Sequence, residues 1–219
     1  MGAAEMTPCE ADAMNQQMTL CETNAMNQQT VSISSTSVSS TLPDWTREAC
    51  RGRWDPGRRL LRSIRRYQQW QGRWGIIGRI AAACCVIPYR FWSIVPGAEI
   101  PLNSRIGGGL LLPHPNGIVI HPDARIGPNC LIFQRVTIGT GGRKPGVPRI
   151  GGHVDIGAGA GILGGVTIGD HAKIGANAIV LCDVPPGATA VGVPARIVNR
   201  RGAYSEAYKD DECCVTQAL

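Results

Sequence analysis

The chain is poor in aromatic residues, with two Phe, four Tyr and five Trp among 219 residues. Between residues 98 and 198, Phe133 is the only aromatic side chain. An ordinary packed globule of that size draws on several large rings, so this half needs a core of another kind. Paired cysteine spacings are absent too: nine cysteines include no C-x-x-C, and Cys84-Cys85 and Cys213-Cys214 are adjacent. An odd count without paired spacing argues against a disulfide scaffold or a zinc ribbon, and fits a reducing compartment. The opening MGAAEMTPCE has neither a basic n-region nor an apolar h-region, so the expected location is the cytoplasm. Nor do stacking aromatics interleave with basic residues on a known module, which sets aside nucleic acid as a partner despite a net charge of +6.

A strict period occupies the place of the missing aromatics. Ile150, Ile156, Ile162, Ile168, Ile174 and Val180 recur every six residues, and a small side chain follows four later, at Val154, Ala160, Val166, Ala172 and Ala178. Helices repeat at three and four, flat strands at two; six with glycine at the turns is the hexapeptide β-helix repeat. Upstream, Ile120, Ile126, Ile132 and Ile138 keep the same phase, whereas Ile100, Ile106, Leu112 and Ile118 are displaced by two. The register therefore slips once, within Pro113-His114-Pro115-Asn116-Gly117. It is interrupted once more between Ile138 and Ile150, where Lys144 stands at the midpoint that calls for an aliphatic. The segment Thr140 to Arg149 reads as a loop extruded from the coil, and these two irregularities are the first places to look for function.

Residues 1–42 read as a disordered tail: 7–18 is nearly duplicated in 19–30, and a Ser/Thr-rich run follows. Residues 43–97 read as a helical segment. Asp55-Pro56 is a helix start, Leu60, Leu61, Ile64 and Tyr67 form one apolar face, and a second helix runs from Ile76 to Ile87, ending at Pro88. That second stretch is too short to span a bilayer. Eleven Arg lie between Arg47 and Arg90 against Glu48 and Asp55, a net of +9, which leaves the remainder net acidic by three. The expected role is to cover the open strand edge of the first coil. A peripheral membrane contact through residues 55–92 is the alternative that basic amphipathic helices raise. Pro185-Pro186 and Pro194 are expected to stop strand addition, and 199–219 reads as a flexible tail.

His114 sits at the register slip between two prolines, and histidine has the ordinary pKa best suited to taking a proton from a hydroxyl near neutrality. Glu99, fifteen residues earlier, is a candidate to orient the ring. His153 and His171, eighteen apart, should stack; with His121 they raise a metal reading, against which stands the simpler one of solvated turn histidines.

The runs EIPLNSRIGGGLLLPHPNGIVIHPDARIGPNCLIFQRVTIGTGG and IGAGAGILGGVTIGDHAKIGANAIVLCDVPPGATAVGVPARIV resemble serine acetyltransferases of the hexapeptide acyltransferase superfamily. The resemblance covers about 99–198. It implies a mainly β fold, a left-handed parallel β-helix after a short helical segment, a homotrimer, and acetyl-CoA as cosubstrate between subunits without a metal. By position it makes His114 the general base and Glu99 its orienting carboxylate. It matches Gly139, Ala158 and Ala176 to small residues along the pantetheine channel, and places Lys173 and Arg196 toward the CoA phosphates. Pro113 replaces the Asp that precedes the catalytic His, Val147 a second His, and Gly146 the Arg before it. Arg143 and Arg149 remain on the same loop as candidate acceptor-binding residues. The acceptor is then L-serine or, in short relatives of surface-polysaccharide synthesis, a sugar hydroxyl. A metal-dependent β-helix hydratase and a non-catalytic scaffold are the rival classes.

Overall fold

A computed structural model describes residues 38–52, 54–71 and 75–198. A 3-10 turn at Trp45–Glu48 precedes two helices, α1 (Pro56–Trp70) and α2 (Gly75–Ile94). Strands of two or three residues follow: β1 (Arg105–Ile106), β2 (Val119–Ile120), β3 (Arg125–Ile126), β4 (Leu131–Ile132), β5 (Thr137–Gly139) and β6 (Arg149–Ile150). The rest are β7 (Asp155–Ile156), β8 (Gly161–Leu163), β9 (Thr167–Ile168), β10 (Lys173–Ile174), β11 (Ile179–Val180), β12 (Thr189–Val191) and β13 (Arg196–Val198). They stack into three sheets, β1-β3-β6-β9, β4-β7-β10-β12-β13 and β2-β5-β8-β11, which are the three faces of a left-handed parallel β-helix. Below, these are the first, second and third faces in chain order.

Register explains the period. Arg149 pairs with Thr167, eighteen residues on, so three hexapeptides close one coil. Ile126, Ile150 and Ile168 stack inward, and every repeat aliphatic from Ile100 to Val180 is buried. On the first and second faces, five non-glycine residues lying third after a repeat aliphatic turn the corner with positive φ: Asn129 at 61°, Arg135 at 59°, His153 at 55°, His171 at 59° and Asn177 at 56°. Asn and His are among the side chains that tolerate this left-handed region best, so corner chemistry selected these residue types. The slip is a two-residue insertion, since Arg105 pairs with Arg125, twenty residues on. The interruption is a whole extra hexapeptide, since Arg125 pairs with Arg149, twenty-four on.

Both ends of the ladder are covered. At the N-terminal end, Arg65 of α1 donates to the carbonyls of Ile106 (2.7 Å) and Gly107 (2.6 Å), and forks onto Glu48 at 3.0 and 3.2 Å. Glu48 in turn accepts from the backbone N–H groups of Gly109 (2.9 Å) and Leu110 (3.2 Å). Leu60, Leu61 and Ile64 close the hydrophobic prism over Ile100, Leu110 and Leu112. Asn129 clamps the strap before α1, accepting from Asp44 N–H and donating to the carbonyls of Ser39 and Leu42. The boundary expected at residue 42 thus falls inside a segment that packs on the coil. The tails expected over 1–37 and 199–219 lie outside the described residues.

Two sequence expectations are corrected. α2 does not stop at Pro88 but continues to Ile94. Beyond the proline it is tied to the coil, by Tyr89 Oη to Ile100 O (3.0 Å) and Ser93 Oγ to Ala98 O (2.5 Å), which offset the single ladder bond that proline removes. At its full length α2 is long and apolar enough to cross a membrane by composition, contrary to the shorter span expected. Pro185-Pro186 does not end the ladder either. These prolines occupy an exposed corner where no ladder N–H is required, and β12 adds another rung before β13 returns antiparallel against it.

Leu61 is 1% exposed, and Leu61→Ala should cost about 2–5 kcal/mol in urea unfolding. Phe91→Ala, on the outer side of α2, should cost under about 0.5 kcal/mol. Equal losses would mean that α1 does not seal the prism.

Candidate active site

The two-residue insertion lies at the corner between the second and third faces of the first coil. Pro113 and His114 bulge outward and are exposed, while Pro115 is buried and anchors the return. The same corner carries Gln134-Arg135, Ala158-Gly159 and Ala176-Asn177 on successive coils, linked by Arg135 N–H to Asn116 O (2.8 Å), Gly159 N–H to Gln134 O (2.9 Å) and Asn177 N–H to Ala158 O (2.8 Å). One rung below, Gly117 N–H donates to Pro96 O at 3.2 Å. Glu99 lies three residues after Pro96, on the third face, where it bridges Val119. The candidates His114 and Glu99 therefore come from stacked rungs, one at the corner and the other on the face that leaves it. Both side chains face solvent, and among the described residues no hydrogen bond or ion pair joins them.

The remaining candidates spread along two faces. Gly139 ends β5, half-buried, and a Cβ built there would meet nothing within 4 Å. Ala158 is half-buried and Ala176 exposed at the His114 corner. Lys173 points outward from β10 on the second face, and Arg196 lies on β13 at the end of that face. Arg143 and Arg149 belong to the extruded segment between the third and first faces, with Arg149 already in β6. A single chain thus groups His114, Ala158 and Ala176 at one corner and sets the arginines of the loop across the third face.

Sequence reasoning missed Gln134. Its side-chain oxygen is buried without a hydrogen-bond partner, one coil above Asn116 at the same corner. Its signal was visible: the equivalent positions in the next two coils are Ala158 and Ala176, so a long amide there is out of pattern.

The loop is held from below. Lys144 Nζ donates to Asp183 Oδ2 at 2.8 Å, Asp183 Oδ1 accepts from Thr167 N–H at 2.8 Å, and Gly165 N–H donates to Lys144 O at 3.0 Å. Partial burial pushes the Asp183 carboxyl up, but the Lys144 hydrogen bond, the Thr167 N–H and the Lys144 charge outweigh it and hold the pKa below its ordinary value.

The histidines do not form a metal centre. His153 and His171 stack at adjacent corners with Nδ1 atoms 2.9 Å apart, one donating to the other. Burial holds His153 below its ordinary pKa; the Asp155 carboxylate opposes this, and the His171, Arg47 and Lys173 charges add to the lowering. His121 ends the third face of the first coil, where its Nδ1 accepts from Asp123 N–H (3.2 Å). Among the described residues no group of three His, Cys, Asp or Glu could hold a metal ion. The three histidines do not converge, and turn chemistry accounts for two of them.

Residues 148–182 match the family described as bacterial transferase hexapeptide (six repeats). The matched residues lie inside the coil. Over a longer stretch the likeness is to serine acetyltransferases, as the sequence runs indicated. A serine acetyltransferase of Synechococcus elongatus is 41% identical over 111 residues, which is 50% of this chain and 46% of the relative. Soybean serine acetyltransferase complexed with serine superimposes with a TM-score of 0.53 at 38% identity, covering 64% of this chain and 56% of the other. A serine acetyltransferase in complex with CoA gives 0.55 at 35% identity, covering 67% and 58%. The chain spans about half the length of the curated relative it matches in Synechococcus and little more of the solved structures.

The depressed pKa of Asp183 sets the sign of a pH effect. The anchor is complete above the ordinary carboxylate pKa and is lost as pH falls through the lower folded value. The Thr167 amide resonance should titrate below the ordinary Asp value of about 3.9. Asp183→Asn should abolish that titration and speed amide exchange at Gly165. A Thr167 shift that is flat in the parent protein would show that the carboxylate does not hold this N–H.

Proposed function

We propose that the chain is an acetyl-CoA-dependent O-acetyltransferase of the serine acetyltransferase type, acting in the cytoplasm as a homotrimer. The observation that carries this reading is the two-residue corner insertion that lifts His114 out of an otherwise regular coil, one rung above Glu99. The likeness to serine acetyltransferases supports it.

In this reading His114 takes the proton of the acceptor hydroxyl as its oxygen attacks the thioester carbonyl. The C–S bond then breaks, and the imidazolium returns the proton to the departing CoA thiolate. Glu99 holds the ring and favours its protonated form, and backbone N–H groups bear the oxyanion. Gly139, with open space where a Cβ would sit, and the small Ala158 and Ala176 leave a track for the pantetheine arm. Lys173 and Arg196 serve the phosphates. A trimer accounts for the open geometry: the His114 corner of one copy needs the facing surface of a neighbour to become a cleft.

The acceptor is the finer question. Serine is bound in the soybean serine acetyltransferase complex, which favours L-serine as the acceptor. A sugar hydroxyl is the second reading, favoured by the residues around the site. A site selecting an amino acid needs partners for ammonium and carboxylate, yet Pro113, Gly146 and Val147 are uncharged. Arg143 and Arg149 offer replacement cations for the carboxylate, whereas Pro113 leaves no acid at the position beside His114, so discrimination for the zwitterion falls.

The test is thiol release from acetyl-CoA, with serine set against a panel of sugars and sugar nucleotides. His114→Ala should lose about 10²–10⁴-fold in kcat while keeping acetyl-CoA affinity. Serine half-saturation should lie above roughly 1 mM, the upper end of the usual enzyme range, with better turnover on a sugar. Tight serine use with no sugar activity restores serine as the acceptor. No thiol release with any acceptor removes the enzymatic reading, and a monomer at micromolar concentration removes the intersubunit cleft.

A further inference from the structure

α2 packs with the wrong side outward for a helix of a water-soluble surface. Its buried positions are two small residues, Gly78 and Ala82. At about 100° per residue, the side facing away from them carries Ile76, Ile80, Ile87, Phe91 and Ile94, with Ile77 at its border. Ile76, Ile87 and Ile94 are each 75% exposed, although they are the residues a core would claim first. The stripe runs the length of a 20-residue helix, about 30 Å.

Guanidinium groups border it on both sides. Arg79 and Arg90, both exposed, lie along one flank. On the other, beyond Cys84 and Pro88, a cleft of about 410 Å³ opens between the helices, lined by Arg59, Arg62 and Arg66 of α1 and by Trp92. Among the described residues none of these three arginines has a carboxylate partner. Arg58 and Arg65 have theirs in Asp55 and Glu48, and Arg59 lies over the Trp92 ring with its Nε buried and unbonded. Trp54, itself 69% exposed, stacks edge-on against Trp92 at the same margin.

We propose that this face docks on the surface of an anionic phospholipid bilayer, with the α2 stripe in the acyl boundary and lipid phosphates taken by the arginine cleft. Apolar residues between two cationic flanks, with Trp at the margin, match the layering of a membrane interface. Charge decides against the obvious competitor. A second copy presenting the same face would set one segment of net +9 against another. Geometry decides against a transmembrane helix. Tyr89 and Ser93 tie the last turns of α2 to Ile100 and Ala98 of the coil, so the helix cannot leave for the bilayer interior without breaking the seal of the first rung.

The full chain should co-sediment with vesicles of phosphatidylcholine mixed with phosphatidylglycerol, bind phosphatidylcholine alone at least about tenfold less, and be released by salt. Ile80→Asp combined with Ile87→Asp should cut binding by about tenfold or more, since burying one large aliphatic is worth that much. The melting temperature should hold, because both residues are already exposed. Arg62→Gln and Arg66→Gln should each cost about fivefold on the anionic vesicles only; if the double aspartate variant melts early, these two carry the test alone. The proposal is overturned if the full chain ignores anionic vesicles or binds them with the substitutions as well as without. It is also overturned if the isoleucine substitutions shrink the oligomer in vesicle-free sedimentation, which would give the face to a second copy. Retention through salt and carbonate washes would overturn it in favour of a span.

Discussion

Strands of two residues cannot stand by themselves; each rung of this coil is held by the rungs on either side. The first rung has a neighbour on one side only, and the structure depends on what replaces the other. Arg65 and Glu48 do so in backbone terms. One donates to two carbonyls, the other accepts from two N–H groups, and the fork between them satisfies the remaining valences. A half-buried ion pair costs desolvation that its Coulomb attraction does not fully return, so its value here lies in matching an open edge that would otherwise recruit another strand. At the other end β13 solves the same problem with backbone, folding back antiparallel on β12. Between these stops, the interior needs only aliphatics of the right size.

Regularity of that kind leaves little room for chemistry. Inward positions are filled, and many corners on the first and second faces are restricted to residues that accept positive φ. A reactive side chain needs a place where the chain departs from the repeat, and there are two. The two-residue insertion turns His114 outward without disturbing Leu112 or Ile118, which both stay buried. The six-residue insertion extrudes a loop whose far end returns in register at Ile150, fixed by Lys144 and Asp183. Each insertion leaves the stacking of the coils beyond it intact, so the disturbance is confined to a corner.

That economy is why so much was legible beforehand. The period located every inward aliphatic, and breaks in the period located both irregular segments, because a β-helix writes its geometry one hexapeptide at a time. The misreadings share a cause. Pro88 forecasts a helix end from local propensity, whereas Tyr89 and Ser93 hold the helix through long-range bonds that no window around the proline contains. Pro185-Pro186 forecasts the end of the ladder, but the corner it occupies needs no donor. Gln134 was within reach as a break in a column of alanines. The approach of His114 and Glu99 was legible only as stacked rungs, because repeat spacing fixes the column and the rung of a residue but not the direction of its side chain.

The helical segment answers two demands with one composition. Covering the first rung requires a cation at the ladder edge and aliphatics over the prism, and Arg65 with Leu60, Leu61 and Ile64 supply them. Those needs are met by one side of α1. They do not account for Arg59, Arg62 and Arg66, nor for the isoleucines on the outer side of α2, where alanine or lysine would seal the coil as well. Surplus apolar area and surplus charge of one sign, placed side by side and turned from the core, destabilise a free surface by exposure and by repulsion. Such an arrangement is balanced only against a surface that is apolar within and anionic at its rim, and α2 is fixed to the coil in the orientation that presents it.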